Sequence, residues 1–403
     1  MATLGTVQIA DKESRFDSGA AFLLSDKSHI SAVISVPSGR EVEVRKGNPY
    51  IVARIKGASK DKEAFSSAYN AAQIGLDILS IEGKARLLTR DVFNDSLLWW
   101  RGPSGQVLRI ISTAVLGIQG SAVGLVVMNG GKVVPPSPIP VTIYHESLRY
   151  FSLSQVSKDV FESFLNMYLA FEALLGITTK RGEKEGESAW LKRALIEAGA
   201  SIPFDKIYGT NTKDPVEKFN KQIYKKIRCA VFHSKDDSRL LPMNLTDRKR
   251  VSEGLDKLSD IVVTLAEKRL NYRYQKSWAS NEVHDGPVRS LFDNSVILIS
   301  NRKGRLDKKE LADSPVYKNA IEVKCMYKSG LSEPGLVYVL GRATASDLSA
   351  IRRIWRVAVK KGDVILAAAG VEAALRPKGI DILEVQIGSR FENMGMPKHF
   401  FDS

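Results

Sequence analysis

Only two cysteines, Cys229 and Cys325, occur in 403 residues. The chain therefore carries no disulfide framework, and its thiols suit a reducing compartment. Histidine is almost as scarce. The five histidines, at 29, 145, 233, 284 and 399, are scattered, and His145-Glu146 has no second histidine at metalloprotease spacing, so no metal site is expected. Two other signatures are missing: there is no Gly-x4-Gly-Lys-Ser/Thr loop and no Gly-x-Gly-x-x-Gly after a strand, which removes the common nucleoside-triphosphate and dinucleotide folds and leaves no cofactor expected. The N-terminus lacks a positive region followed by an apolar run, so no signal peptide is expected. Long apolar runs are also rare. Ile110 to Val127 carries no charge, but Gly117, Gly120 and Gly124 interrupt it, and two strands turning near Gln119-Gly120-Ser121 suit it better than a membrane span.

What the chain has in excess is positive charge. A net charge of +14 and a pI near 9.5 point to an anionic partner, most simply nucleic acid, though acidic membranes attract the same charge. A cytoplasmic protein that binds RNA and not membrane is the resulting expectation. At this length two or three domains fit. Pro135 to Pro140 (PPSPIP) reads as a stiff linker within residues 135–144, and a second boundary falls near 277–287.

Residues 1–134 read as an α+β domain. Strand-like runs occur at 29–36, 41–45, 50–55, 97–101, 106–116 and 122–128, with one helix over 62–80. Trp99-Trp100 on a strand sends its indoles to opposite faces, one to the core and one outward. The outward indole is suited to stacking a base or to covering the sheet. The last domain, 288–403, reads as a small α/β unit with strands at 296–300, 320–327, 336–340 and 380–387. Its helix is signalled by the capping box Thr344-Ala345-Ser346-Asp347 and by a stripe of Leu348, Ile351, Trp355 and Ala358. On that helix Arg352, Arg356 and Lys360 would form a ridge able to track a phosphate backbone or simply to face solvent.

Between them, residues 145–276 have helical periodicity. Leu153, Val156, Val160, Phe161, Phe164, Tyr168, Phe171, Leu174 and Leu175 make one apolar face over 152–176. A shorter helix covers 189–198, Val216, Phe219, Ile223 and Ile227 form a stripe, and a long helix opens at Thr246-Asp247 and runs to about Tyr272. The fold class expected is thus α+β multidomain, with a central all-α helical bundle flanked by an N-terminal mixed, β-rich domain and a C-terminal small α/β domain.

Near the end of the third helix Arg228 and His233 bracket Cys229-Ala230-Val231-Phe232, with Lys225, Lys226 and Lys235 close by. A fixed positive charge and a proton carrier active near neutral pH are the two groups that cleavage of RNA through its own 2'-hydroxyl needs; the reaction requires no metal. In a straight α-helix five positions amount to about 140° of rotation, so the pair converges only if the helix distorts or two protomers each contribute. A capping role for His233, with Arg228 paired to a carboxylate such as Asp236 or Glu172, is the structural alternative.

An Arg-x4-His segment late in a third helix, followed by a loop and a long fourth helix, resembles the HEPN superfamily (higher eukaryotes and prokaryotes nucleotide-binding), and YLAFEALLG is similar to the first long helix of its Apea-like branch. The likeness covers about residues 147–276. It implies a metal-independent endoribonuclease acting as a homodimer, with Arg228 and His233 catalytic, Lys225, Lys226 and Lys235 on the RNA, and toxin or phage-defence biology. The alternative it allows is a non-catalytic module binding RNA, nucleotide or a partner protein. The residue after the arginine is commonly polar in that family and here is Cys229. The first half has a looser similarity to methylamine-utilisation accessory proteins.

Overall fold

A computed structural model describes residues 1–10, 16–90, 92–116, 128–129, 132–133, 143–157, 159–232, 239–271, 290–304, 313–328 and 336–391. Two compact units divide the chain: residues 1–119 with 278–395, and residues 120–277 with 396–403.

The first unit overturns the expected arrangement of a central bundle between two separate flanking domains. Its strands are β1 (Thr3–Leu4), β2 (Val7–Gln8), β3 (Ser18–Leu23), β4 (Ala32–Val36), β5 (Arg40–Val44), β6 (Tyr50–Ile55), β7 (Ser96–Gly102), β8 (Gly105–Leu116), β11 (Val296–Ser300), β12 (Ile321–Lys328), β13 (Leu336–Thr344), β14 (Ile354–Lys361), β15 (Val364–Arg376) and β16 (Ile382–Phe391); β9 (Met128–Asn129) and β10 (Lys132–Val133) pair separately. They form a single 14-stranded sheet in the order β2-β1-β15-β14-β11-β12-β13-β16-β8-β7-β3-β6-β5-β4. The two ends of the chain thus share one mixed sheet. The join is the parallel pair β8–β16, with Ile382 opposite Val107 and Phe391 opposite Leu116, and β1 adds a second crossing by pairing with β15. Parallel partners cannot be joined by a tight turn, so long-range topology of this kind leaves no local trace in sequence.

Both halves of the sheet contribute to one core, in which Leu4, Val52, Trp99, Leu108, Ile297, Val339, Val357, Leu375 and Val385 are buried together. The opposite face of β3 and β6 is covered by helix α1 (Asp61–Ile81). Ala64, Ala68, Ala71 and Ala72 give it a small-residue surface that can lie close to the strands, and Phe65 and Tyr69 meet Phe22 edge-on at 5.6 and 5.9 Å. Gly105 closes the β7–β8 turn at φ +110°, where a Cβ would stand 2.2 Å from the Asp381 carboxylate. That carboxylate accepts the Gln106 N–H at 2.7 Å and so pins the turn to the start of β16. A polar cluster ties the same join further in. Glu384 on β16, its side chain 3% exposed, is gripped by Arg109 of β8 at 2.7 Å and Arg342 of β13 at 2.6 Å, and Arg109 also reaches Asp61 of α1 at 2.8 Å.

Several local expectations need correction here. Trp99 and Trp100 are both buried, with Arg109 covering the Trp100 ring at 4.9 Å, so neither indole of this pair is left to stack a base. The capping box at Thr344 and Asp347 forms, but the helix it opens, Ala345–Leu348, ends after four residues and the chain re-enters the sheet as β14. The apolar residues beyond Leu348 therefore alternate across a strand instead of lining a helix. The hairpin expected near Gln119 and the Pro135–Pro140 linker lie outside the described residues.

In the second unit the expected helix over 152–176 is two: α2 (Ser147–Val156) and α3 (Val160–Thr178). Ser157 is extended, and the Asp159 side chain accepts from Phe161 N and Glu162 N to start α3. There follow α4 (Glu187–Ala198), α5 (Phe204–Tyr208), α6 (Pro215–Phe219), a π-helical segment (Asn220–Cys229), α7 (Ala230–Phe232) and α8 (Leu245–Arg269), the last capped by Asn244. Phe164, Tyr168, Phe171, Phe219, Ile223, Ile227, Leu255 and Leu258 meet in its core. Gly254 lets α8 come close to the π segment, since a Cβ there would stand 2.3 Å from Ile227 Cδ1. Helix α3 is long and apolar enough to cross a membrane; its buried face, from Val160 to Leu175, packs within this core.

Candidate functional site

Arg228 is the focus of the second unit's polar interior. The π segment that carries it is closed by bonds from each residue to the fifth one before it, a winding uncommon outside functional regions. Ile223 and Ile227 of the same segment are locked into the core. The exposed side of the same segment carries Lys221, Lys225 and Lys226.

The Arg228 side chain is 15% exposed, and its guanidinium is enclosed by three rings, with Phe232 at 4.7 Å, Tyr224 at 5.5 Å and Tyr168 at 5.7 Å from their centroids. Its Nη2 lies 2.8 Å from Glu187 Oε1 at the start of α4. That contact is an ion pair set off the line of an N–H bond, and Arg228 Nε–H meets no acceptor among the described residues. Phe232, 45% exposed, is the ring nearest to solvent. Burial disfavours the charged guanidinium, but Glu187 and the carboxyl and phenol groups around it outweigh that and raise its pKa.

Glu172 of α3, four residues after Tyr168, is the third member of the cluster. Burial first, and then the Glu187 charge and a hydrogen bond shared with Glu187, push its carboxyl up to about 7, with Arg228 acting in the opposite direction. Glu172 therefore keeps its proton up to about pH 7 within this cluster. Tyr168 is raised by burial and Tyr224 likewise, the latter also bonded to Cys229. Among the described residues no group of three His, Cys, Asp or Glu side chains is placed to hold a metal ion.

Of the residues singled out from sequence, Arg228, Lys225 and Lys226 lie on this segment, with both lysines exposed. His233 and Lys235 lie outside the described residues. Arg352, Arg356 and Lys360 do not form a ridge. Arg352 is exposed in the connection before β14. Arg356 is 1% exposed, donates from Nη2 to the Gly304 carbonyl at 2.8 Å and stacks at 5.9 Å over Tyr317. Lys360 is paired with Glu322 at 2.8 Å. Arg352 precedes the strand, and on β14 Arg356 and Lys360 share a face that is taken up by Tyr317 and Glu322 instead of lying open to solvent. His145 caps the start of α2, its Nδ1 accepting from Ser147 N at 3.3 Å.

Sequence reasoning named Glu172 as one partner for Arg228 and missed Glu187. The signal for Glu172 was a lone carboxyl inside the apolar run YLAFEALLG; Glu187 stands in a polar stretch, GEKEGES, where nothing distinguishes it from its neighbours.

No family model, curated protein or solved structure matches this chain. Its chemistry is read from its own residues.

Proposed function

We propose that the helical unit is a metal-independent endoribonuclease of HEPN type, acting as a homodimer in the cytoplasm, with toxin or phage-defence biology. Arg228 holds the scissile phosphate, and His233 moves the proton between the 2'-oxygen and the leaving 5'-oxygen. The 2'-oxygen attacks phosphorus, the bond to the 5'-oxygen breaks, and a cyclic 2',3'-phosphate and a 5'-hydroxyl result. Lys225, Lys226 and Lys235 draw in the RNA backbone.

The observation that carries this reading is the Arg228 guanidinium: fixed on three sides by aromatic rings, oriented by Glu187, and carried on a partly exposed side chain beside the exposed Phe232. A preorganised donor of that kind is what a developing phosphorane charge requires, and it is worth most in a partly desolvated setting.

The Arg228–Glu187 ion pair favours a second reading, in which the arginine is already neutralised and the unit binds RNA, nucleotide or a partner protein without cutting it. Labelled RNA incubated in EDTA with wild type, Arg228→Ala and His233→Ala separates the two. Cleavage lost in both variants supports the nuclease; cleavage surviving both removes it. Salt-dependent binding with no change of RNA length establishes the second reading.

A further inference from the structure

The first unit contains a cavity of about 200 Å³ between the two inner faces of its sheet, lined from β3, β6, β7 and β8 on one side and from β15 on the other. The alternation that buries Leu97 and Trp99 places Asp95 on the same inward face. Its floor is apolar, made by Leu23, Leu97, Ile110, Ala369 and Val371.

The rim is polar and carries both signs of charge. Asp95 accepts from the Ser112 hydroxyl at 2.9 Å, and Ser112 is itself buried. Arg90 and Glu372 stand on the same lining, and the buried Tyr50 hydroxyl accepts the Glu372 N–H at 3.3 Å, which fixes β15 against β6 at the cavity edge. Small-molecule sites have this composition: an apolar body with a few convergent polar groups. The volume sets the size, because an apolar cavity of about 150 Å³ holds benzene, and drug-sized ligands need about 300 Å³ or more.

We propose that this cavity is a binding site for a small zwitterion, a free α-amino acid with an apolar side chain. The carboxylate meets Arg90, the ammonium meets Asp95, and the side chain fills the space over Leu97, Ile110 and Val371. An arginine recognises a carboxylate through paired N–H donors, and the Asp95 carboxylate suits an ammonium. The site lies wholly within the β-sheet unit and does not depend on the ribonuclease reading.

Thermal unfolding and titration calorimetry of the full chain with leucine, isoleucine, valine, aspartate and lysine test it, alongside isopentylamine and isocaproate, which lack the carboxylate and the ammonium of leucine. The expected result is a raised Tm and measurable heat with at least one apolar amino acid, weaker binding by roughly tenfold or more for each truncated analogue, and a similar loss in the Arg90→Gln variant, whose exposed position spares the fold. Ala369→Leu fills the cavity and abolishes binding. No heat and no Tm shift from any amino acid at millimolar concentration overturns the proposal. So does binding of isopentylamine or isocaproate as tight as that of leucine, or binding unchanged in Arg90→Gln.

Discussion

Glu172 is raised to about 7 by burial and by the charge of Glu187, the residue whose Oε1 lies 2.8 Å from the Arg228 guanidinium. Each acid has a different duty. Glu187 pairs with the guanidinium, and Glu172 is raised because it is buried against Glu187.

The raised Glu172 carboxyl makes stability depend on pH. With its carboxyl raised from 4.5 to about 7, folded Glu172 keeps a proton that the unfolded chain has already released. Below the ordinary carboxylate range both states are protonated and the group is neutral towards folding; as pH rises towards 7 the folded form is progressively disfavoured. Asp256, also raised to about 7 by burial and by its neighbours Asp260 and Glu253, acts in the same direction. Glu172→Gln, which keeps the shape and a donor for Glu187, is expected to raise Tm at pH 7.5 and flatten the fall in stability between pH 5 and about 7.5. Urea melts of wild type and variant across that window measure it.

The join between the chain's two ends has its own test. Glu384 is buried between Arg109 and Arg342, and the two guanidinium groups hold its carboxyl below the usual range against the opposing effect of burial. Removing the charge with Glu384→Gln leaves Arg109 partly buried with only Asp61 to pair it, and is expected to cost roughly 3 kcal/mol or more. The loss appears as a lower urea midpoint. Because a lowered carboxyl stabilises above its unfolded pKa, the difference between wild type and variant shrinks as pH falls through the acid range.

Arg356 distinguishes the strand from the helix expected from sequence. As a buried residue bonded to the Gly304 carbonyl, Arg356→Ala should destabilise the protein by about 2 kcal/mol or more and leave RNA affinity per folded molecule unchanged. Fluorescence anisotropy with RNA, alongside a denaturant melt, gives both quantities. A drop in RNA affinity with unaltered stability contradicts the strand placement.

How far the sequence carried the fold follows from how local each signal is. Tyr50 to Ile55 and Val296 to Ser300 were legible residue for residue, because short β-rich runs bounded by turn residues announce themselves. Helices α1, α4 and α8 were legible within a few residues from their stripes and caps. Ile354 to Lys361 was read as helix because Leu348, Ile351, Trp355 and Ala358 mimic a helical stripe, when the first pair closes a short turn and the second lies on a strand. Nothing local signals that Ile382 will lie beside Val107, so the single sheet was hidden while its strands were not. In the helical unit Arg228 was singled out by its type and spacing, whereas the carboxyl that pairs with it comes from another helix.

The most direct measurement is the single-turnover rate of RNA cleavage by wild type, Arg228→Ala and Arg228→Lys in EDTA. With Arg228 as the preorganised donor on the scissile phosphate, Arg228→Ala is expected to slow cleavage by roughly 10² to 10³, with Arg228→Lys restoring only a small part because a lysine cannot reproduce the planar fork. A rate for Arg228→Ala within about twofold of wild type, well below the loss expected on removing one such donor, contradicts the account.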